Sequence, residues 1–237
     1  MLDFLSFFLK AGRLYAPVMP LLLQKLRENK PKEILDLASG GAGPLQSLLP
    51  QLIEAAPEVH ISLSDLFPNP ASWQLLEAEF PRNVSGISKP IDALQLPPDN
   101  GALLTMFSAL HHFSSPVLRE LLRHVAQRGQ PALFCDGGGV KGVLIGGVAV
   151  MPLLFWAVTP WLRPFSVQRL LLTYLLPVIP FCTVWDGAVS VLRLYSLREL
   201  KQFAAECSTD TYRWQAGRFR KFPGVYVYFL AGQTTES

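Results

Sequence analysis

The stretch Asp36-Leu-Ala-Ser-Gly-Gly-Ala-Gly43-Pro44 brings an acid and three glycines to the start of a predicted helix. Glycines let backbone approach a ligand closely, and the amides at a helix start face it. Twenty-five positions after Gly40, the run His60-Ile-Ser-Leu-Ser-Asp65 closes with a second acid. In a parallel α/β sheet, an acid about 20 residues past the loop lies beside it and accepts hydrogen bonds from both hydroxyls of a ribose. A plainer role for Asp65, capping the turn Leu66-Phe67-Pro68-Asn69, stays open. The loop is not the dinucleotide fingerprint. Gly41 and Gly43 fill the first two positions of GxGxxG, but Gln46 stands at the third, which disfavours a pyrophosphate cradle. His111 and His112 offer imidazoles as general bases, and Asp186 is a third candidate base; paired histidines in an apolar turn also serve purely structural ends. Cys135, Cys182 and Cys207 are far apart and odd in number, which fits a reducing compartment, and no metal-ligand spacing exists.

These residues need a scaffold, and the pattern from Glu33 onward supplies one. Short apolar runs bounded by turn residues alternate with helical stretches, the signature of a mostly parallel sheet. Strands are predicted over Glu33 to Leu37, His60 to Ser64, Val84 to Ser88, Ala102 to Phe107 and Ala132 to Cys135. Helices are predicted over Pro44 to Ala55, Ala71 to Phe80 and Pro116 to Gln127, the last closed by Gly129 as a left-handed cap. Tyr212 to Arg218 and Val225 to Leu230 are β-rich runs joined through Phe222-Pro223-Gly224, a link short enough only for an antiparallel hairpin. Before them, Ser196-Leu-Arg-Glu199 announces a helix by its capping box.

Half of the 237 residues are hydrophobic and only 16% are charged, against roughly a quarter charged in an average soluble domain. Disorder is excluded. So is charge-driven binding to nucleic acid, because a net charge of +3 spread along the chain leaves no basic stripe. The segment 1–30 is apolar, with Leu2, Phe4, Leu5, Phe7, Phe8 and Leu9 crowded together and Lys10, Arg13, Lys25, Arg27 and Lys30 as the polar complement. Asp3 and the lack of a small-x-small site argue against a secretory peptide. This segment either lies on an anionic bilayer or packs on its own domain, residues 31–237.

One part breaks the strand–helix rhythm. Between Gly142 and Trp185 the only charges are Arg163 and Arg169, marking an apolar insertion over 139–185. Gly142 to Leu162 is 21 uncharged residues, and a transmembrane helix needs about 20. Leu170 to Trp185 is shorter and carries Pro177 and Pro180. A spanning hairpin would also put Arg163 and Arg169 on the far side, against the positive-inside tendency. A re-entrant or surface-lying hairpin fits better, and so does a lid over an active site; one element serves both if a lipid-like molecule enters through it. The expected location is the cytoplasmic face of a membrane, with peripheral or monotopic contact.

With these motifs in order, the chain resembles the class I S-adenosylmethionine-dependent methyltransferases. The resemblance rests on Asp36 to Gly43 as first motif, Asp65, Asp92-Ala93 after the third strand, Ser108-Ala-Leu-His-His-Phe113 after the fourth, and the closing antiparallel pair. It implies a doubly wound, Rossmann-like α/β fold: a seven-stranded sheet with a terminal antiparallel hairpin, the apolar insertion falling between strand 5 and the last helix. It implies S-adenosylmethionine as cofactor, its methionine end held by Asp36 and the backbone of Ala38, Ser39, Gly40, Gly41 and Gly43. Asp65 would take the ribose, Asp92 and Ala93 the adenine, and Ser108 would lie at the same edge. Ala38 and Ala42 stand where the family usually has glycine, and their methyls are expected to narrow the loop. The acceptor implied is small and hydrophobic or amphipathic. Asp186, Ser190, Arg193 and Tyr195 would line its pocket, unless Asp186 and Arg193 merely form an ion pair that ties the insertion down. Two alternatives remain: a membrane-associated module that keeps the fold as scaffold, and a nicotinamide-dependent reductase, which would require GxGxxG and no terminal hairpin.

Overall fold

The computed structural model describes residues 13–161 and 165–235. Seven strands form one sheet: β1 (Glu33–Asp36), β2 (His60–Leu63), β3 (Val84–Gly86), β4 (Leu103–Phe107), β5 (Ala132–Gly139), β6 (Tyr212–Phe222) and β7 (Val225–Thr234). Their order across the sheet is β3-β2-β1-β4-β5-β7-β6. The first five are parallel, and β7 runs antiparallel between β5 and β6. The expected α/β fold with a terminal antiparallel hairpin is therefore the observed one. Strand order reverses between β1 and β4, and in such sheets ligands bind in the crevice beyond the carboxyl ends at that point.

The central strands are apolar because both faces are covered; every residue of β4 is buried. On one face α5 (Ser115–Arg128) brings Leu118, Leu121 and Leu122 against Met106 and Phe134. On the other face, α1 (Met19–Asn29), α3 (Leu49–Ala55) and α4 (Pro70–Glu79) bring Leu22, Leu52 and Trp73 against Ile34, Ile61 and Leu133. In α1, Met19, Leu22, Lys25 and Leu26 are buried, and the Lys25 ammonium donates to Gln233 on β7. This helix thus packs on its own domain. Leu2, Phe4, Leu5, Phe7, Phe8, Leu9 and Lys10, on which the bilayer-lying alternative rested, fall outside the described residues. The helix expected over 44–55 is broken into α2 (Gly43–Gln46) and α3. Pro50 has no N–H, and its ring clashes with the carbonyl four residues back, so one helix cannot run through.

Strand β5 is longer than its apolar run. After Cys135, which pairs with β4, it continues through Asp136 to Gly139 on β7 alone. Glycine is a poor strand former, so its run hides this extension. Close approach explains the glycines: a Cβ on Gly138 would lie 2.3 Å from the Tyr228 ring, and one on Gly139 2.2 Å from the Gly224 carbonyl. The three strands β5, β7 and β6 project beyond the carboxyl edge as a ribbon.

The insertion sits on the end of that ribbon. It consists of α6 (Lys141–Val158), a short α7 (Val167–Leu170) continued by the π-helical turn Leu171–Leu175, and α8 (Val178–Arg193). The segment from Val167 to Leu175 and α8 meet at a 74° bend, at Leu176, where the backbone turns extended, and Pro177. The boundary expected at 185 is corrected. Nothing in Asp186 to Arg193 stops a helix, and α8 ends only where Leu194 takes extended backbone, ψ 129°. The predicted capping box then opens α9 (Leu197–Cys207): Ser196 accepts from the Glu199 amide and Glu199 accepts from the Ser196 amide.

Candidate active site

The loop after β1 is wound through alternate left-handed residues, Ala38 at φ 51°, Gly40 at 51° and Ala42 at 55°. This conformation suits glycine and costs an L-residue with a Cβ roughly 1–2 kcal/mol. Its surroundings hold it. The Ser39 amide donates to the Ser64 carbonyl at 2.9 Å, the Gly40 amide to Asp65 Oδ2 at 2.8 Å, and Trp73 Nε1 to the Gly40 carbonyl at 2.9 Å. The methyls expected to narrow the loop are absorbed elsewhere. Ala42 is buried among the apolar side chains on one face of the sheet and Ala38 packs on those of the other. A Cβ built on Gly40 meets no atom within 4 Å, so the loop faces open space there.

Asp36 lies beneath this loop, 1% exposed. Thr105 Oγ1 donates to its Oδ1 at 2.6 Å and Ser39 Oγ to its Oδ2 at 2.7 Å. Burial pushes its pKa up to about 6, partly offset by those two hydroxyls, with the Asp65 charge raising it further. Among the described residues no cation is paired with it. Asp65 serves the loop and the turn together: its other oxygen accepts from the Phe67 amide at 2.8 Å. Each carboxylate oxygen keeps a second acceptor position. The two elements expected at the adenine are joined to the same place, since the Ile91 amide donates to the Asp65 carbonyl. Asp92 itself turns back on the Leu94 amide at 2.9 Å, and Ala93 is buried in the apolar core. Gly41 is half-buried in the loop and Gly43 starts α2.

Beyond β4 the chain turns through Ser108, left-handed at φ 57°, into a 3-10 turn, Leu110–His112. Here the site contains a residue the spacing did not reveal. Asp136, just past the apolar part of β5, lies with its Oδ2 2.9 Å from His111 Nδ1, and the same oxygen accepts from the His111 amide at 2.9 Å. The imidazole and the carboxylate are about nine-tenths buried. A carboxylate at Nδ1 fixes the tautomer that carries its proton there and leaves Nε2 as the base. His112 stacks on His111 at 4.3 Å between ring centroids. Desolvation first, then the neighbouring His111, holds its pKa below the ordinary histidine value.

Behind this turn is a second residue not anticipated, Tyr15. It is fully buried, with its hydroxyl 2.5 Å from Ser108 Oγ and its ring edge-on to Phe107 at 5.5 Å. Burial and the Asp136 charge raise its pKa well above the ordinary tyrosine value. The largely apolar segment around Tyr15 gives no sign that this ring will reach the far end of β4.

Helix α8 packs across the 3-10 turn. Asp186 and Arg193 are exposed on it and form no ion pair with each other among the described residues. Seven positions on a helix separate them by about 10 Å along its axis. Both act on His112 instead, Asp186 favouring its charged form and Arg193 opposing it. Ser190 is half-buried on the same helix. Tyr195, expected in the acceptor wall, is half-buried. Its hydroxyl donates to the Phe113 carbonyl at 2.8 Å and its ring stands edge-on to Phe203 at 5.2 Å, which ties the exit of the insertion to the loop after β4.

No protein-family model and no curated protein matches the sequence. Solved structures do match. The fold is similar to that of the plantazolicin methyltransferase BpumL, solved with S-adenosylhomocysteine and a monoazolic desmethylPZN analog, at TM-score 0.54 and 11% identity over 98% of this chain and 85% of that one. It is similar to the mitomycin 7-O-methyltransferase MmcR at TM-score 0.53 and 14% identity over 95% of this chain, which spans 53% of that protein. A methyltransferase from Aquifex aeolicus matches at TM-score 0.50 and 14% identity, over 94% and 92% of the two chains. The chain has the fold of the class I S-adenosylmethionine-dependent methyltransferases.

Proposed function

We propose that this protein transfers a methyl group from S-adenosylmethionine to a small apolar or amphipathic acceptor that it meets at a membrane. The observation that carries the reading is the buried His111–Asp136 pair, facing a glycine loop and two carboxylates across the switch point of the sheet. The residues present fit the cofactor: open space stands over Gly40, Asp36 is an anion with no cationic partner among the described residues, and Asp65 has acceptor positions to spare for a ribose. When bound, the cofactor supplies a methyl on a sulfonium, reactive toward an in-line nucleophile. Asp36 offers negative charge to the methionine end. Ser39, Gly40, Gly41 and Gly43 present backbone to it, Asp92 and Ala93 flank the adenine, and Ser108 marks the edge shared with the acceptor. Asp136 orients the His111 ring, and His111 Nε2 takes the proton of an acceptor hydroxyl or amine as it attacks. His112 and Asp186 border the acceptor, with Ser190 and Arg193 further along α8, and Tyr195 holds that helix in place.

Support for the apolar acceptor and the membrane comes from the insertion. Lys141–Trp161 is long and apolar enough to cross a membrane, and only 11% of it is buried. Trp161, Leu175, Phe181 and Trp185 are each more than half exposed. Monomeric soluble proteins rarely display so large an apolar face, which marks a lipid or partner contact. The bend between the Val167 to Leu175 segment and α8 suits re-entry on the cytoplasmic side better than crossing.

The test is methyl transfer from labelled cofactor to a membrane extract, read as label entering organic solvent. His111→Gln should lower the rate roughly 100- to 10,000-fold, the usual range for a lost general base. S-adenosylhomocysteine binding by calorimetry should stay unchanged in the variant. Label appearing only in protein or nucleic acid would overturn the acceptor class, and a fully active variant would overturn the base.

A further inference from the structure

The β6–β7 turn is pressed against the root of the apolar helices. The Gly224 carbonyl accepts from the Val140 amide at 2.9 Å, and a Cβ on Gly224 would meet the Val143 side chain at 2.9 Å. Phe222, 54% exposed, therefore continues the apolar rim formed by exposed Val140 and Val143. Cations border this rim. Lys141 opens α6, and Arg218, Arg220 and Lys221 lead β6, the sheet edge, toward the turn. The Arg218 guanidinium lies over the Tyr226 ring at 4.4 Å and the Lys221 ammonium 5.3 Å from the Phe222 ring. The facing acid, Glu199, whose carboxyl the Ser196 capping box and, to a lesser extent, the Lys141 charge hold below the ordinary value, is engaged by that capping box. A soluble polyanion would meet the cations and leave the rim in water. A bilayer surface covers both, with apolar side chains in the acyl boundary and cations at headgroup level.

We propose that the β6–β7 turn is a headgroup collar: Arg218, Arg220 and Lys221 bind anionic phospholipid phosphates while Phe222 enters the interface beside α6. The collar rests on the membrane contact proposed above, and vesicle sedimentation of the full chain separates the two. The vesicles are phosphatidylcholine alone and phosphatidylcholine doped with phosphatidylglycerol. Wild type should bind both, the anionic ones more tightly, with an advantage that shrinks as salt screens the charges. At roughly fivefold per basic residue near an anionic surface, R218Q/R220Q/K221Q should lose about 100-fold of that advantage and keep its affinity for neutral vesicles. R218K/R220K should retain the preference, which separates charge from strand geometry. Equal affinity of wild type for the two vesicles, or an undiminished preference in the triple glutamine variant, overturns the collar alone. Failure to bind either vesicle overturns the membrane contact and the collar together, while methyl transfer to a soluble acceptor would still stand.

Discussion

Strand β5 and helix α6 are separated by Val140 alone, yet they obey opposite rules. Ala132, Leu133, Phe134 and Cys135 on the strand have no exposed surface, whereas along the eighteen residues of α6 only Phe155 is buried. Both are apolar, so hydrophobicity does not separate them. What differs is what covers them: helices on each face of the sheet and, among the described residues, nothing for most of the hairpin. The sheet is folded against water by its own parts, and the hairpin shows its apolar surface uncovered among the described residues.

The sharpest way to break this comparison is to place the same charge in both regions. Phe134→Asp buries an unpaired carboxylate in the core and should cost more than about 4 kcal/mol, enough to abolish cooperative unfolding in a denaturant titration. Trp161→Asp with Trp185→Asp should change that stability by less than about 0.5 kcal/mol, as exposed positions do, while vesicle retention falls. If the hairpin variant unfolds like the core variant, the two regions are not different in kind.

At Asp36 the sheet keeps a buried carboxylate whose charge is unfavourable there. Its pKa is raised from 3.8 to about 6 by burial, so the folded protein holds this proton more tightly than the unfolded chain. The group therefore subtracts stability above pH 6 and subtracts nothing below pH 3.8. On acidification through that window wild type should gain, relative to Asp36→Asn, on the order of 3 kcal/mol at one pKa unit per 1.36 kcal/mol. Chemical denaturation of both proteins across the pH range measures it, and a pH-independent difference would show that the anion is not strained.

Asp65 should matter to ligand more than to fold. Asp65→Ala removes the acceptor of the Gly40 amide and the expected ribose contact, and S-adenosylhomocysteine affinity should drop about 100-fold, as two charge-assisted hydrogen bonds predict. Trp161→Asp with Trp185→Asp should leave that affinity within error. The smallest effect concerns the loop: Ala38→Gly removes a left-handed alanine and should stabilise the protein by about 1 kcal/mol, readable as a small rise in melting temperature.

Much of the sheet was legible because its strands are short apolar runs cut off by turn residues, and because Phe222-Pro223-Gly224 permits only a hairpin. Asp65 was legible through its position after β2, and the His111 turn through its place after β4. Asp136 was not, because the strand was read as ending at Cys135. The glycines that follow are there for the close approach of Tyr228 and Gly224, a tertiary cause with no local signal. Trp73, which holds the Gly40 carbonyl from a neighbouring helix, was hidden in the same way. The end of the insertion expected at 185 falls inside α8, because the polar Asp186, Ser190 and Arg193 are one side of a helix whose other side faces α6; a Cβ on Gly187 would lie 3.2 Å from Val148.

Tyr15 has a consequence for the order in which the molecule can be made. Its hydroxyl meets Ser108, 93 residues later, and its other partner, the Gly137 backbone, is made later still. During synthesis this ring is made 93 residues before Ser108 and 122 before Gly137, so its hydroxyl waits for both β4 and β5. The pocket for the reacting groups thus cannot close before β5 exists, and a nascent chain stalled before β5 holds an unfinished cleft.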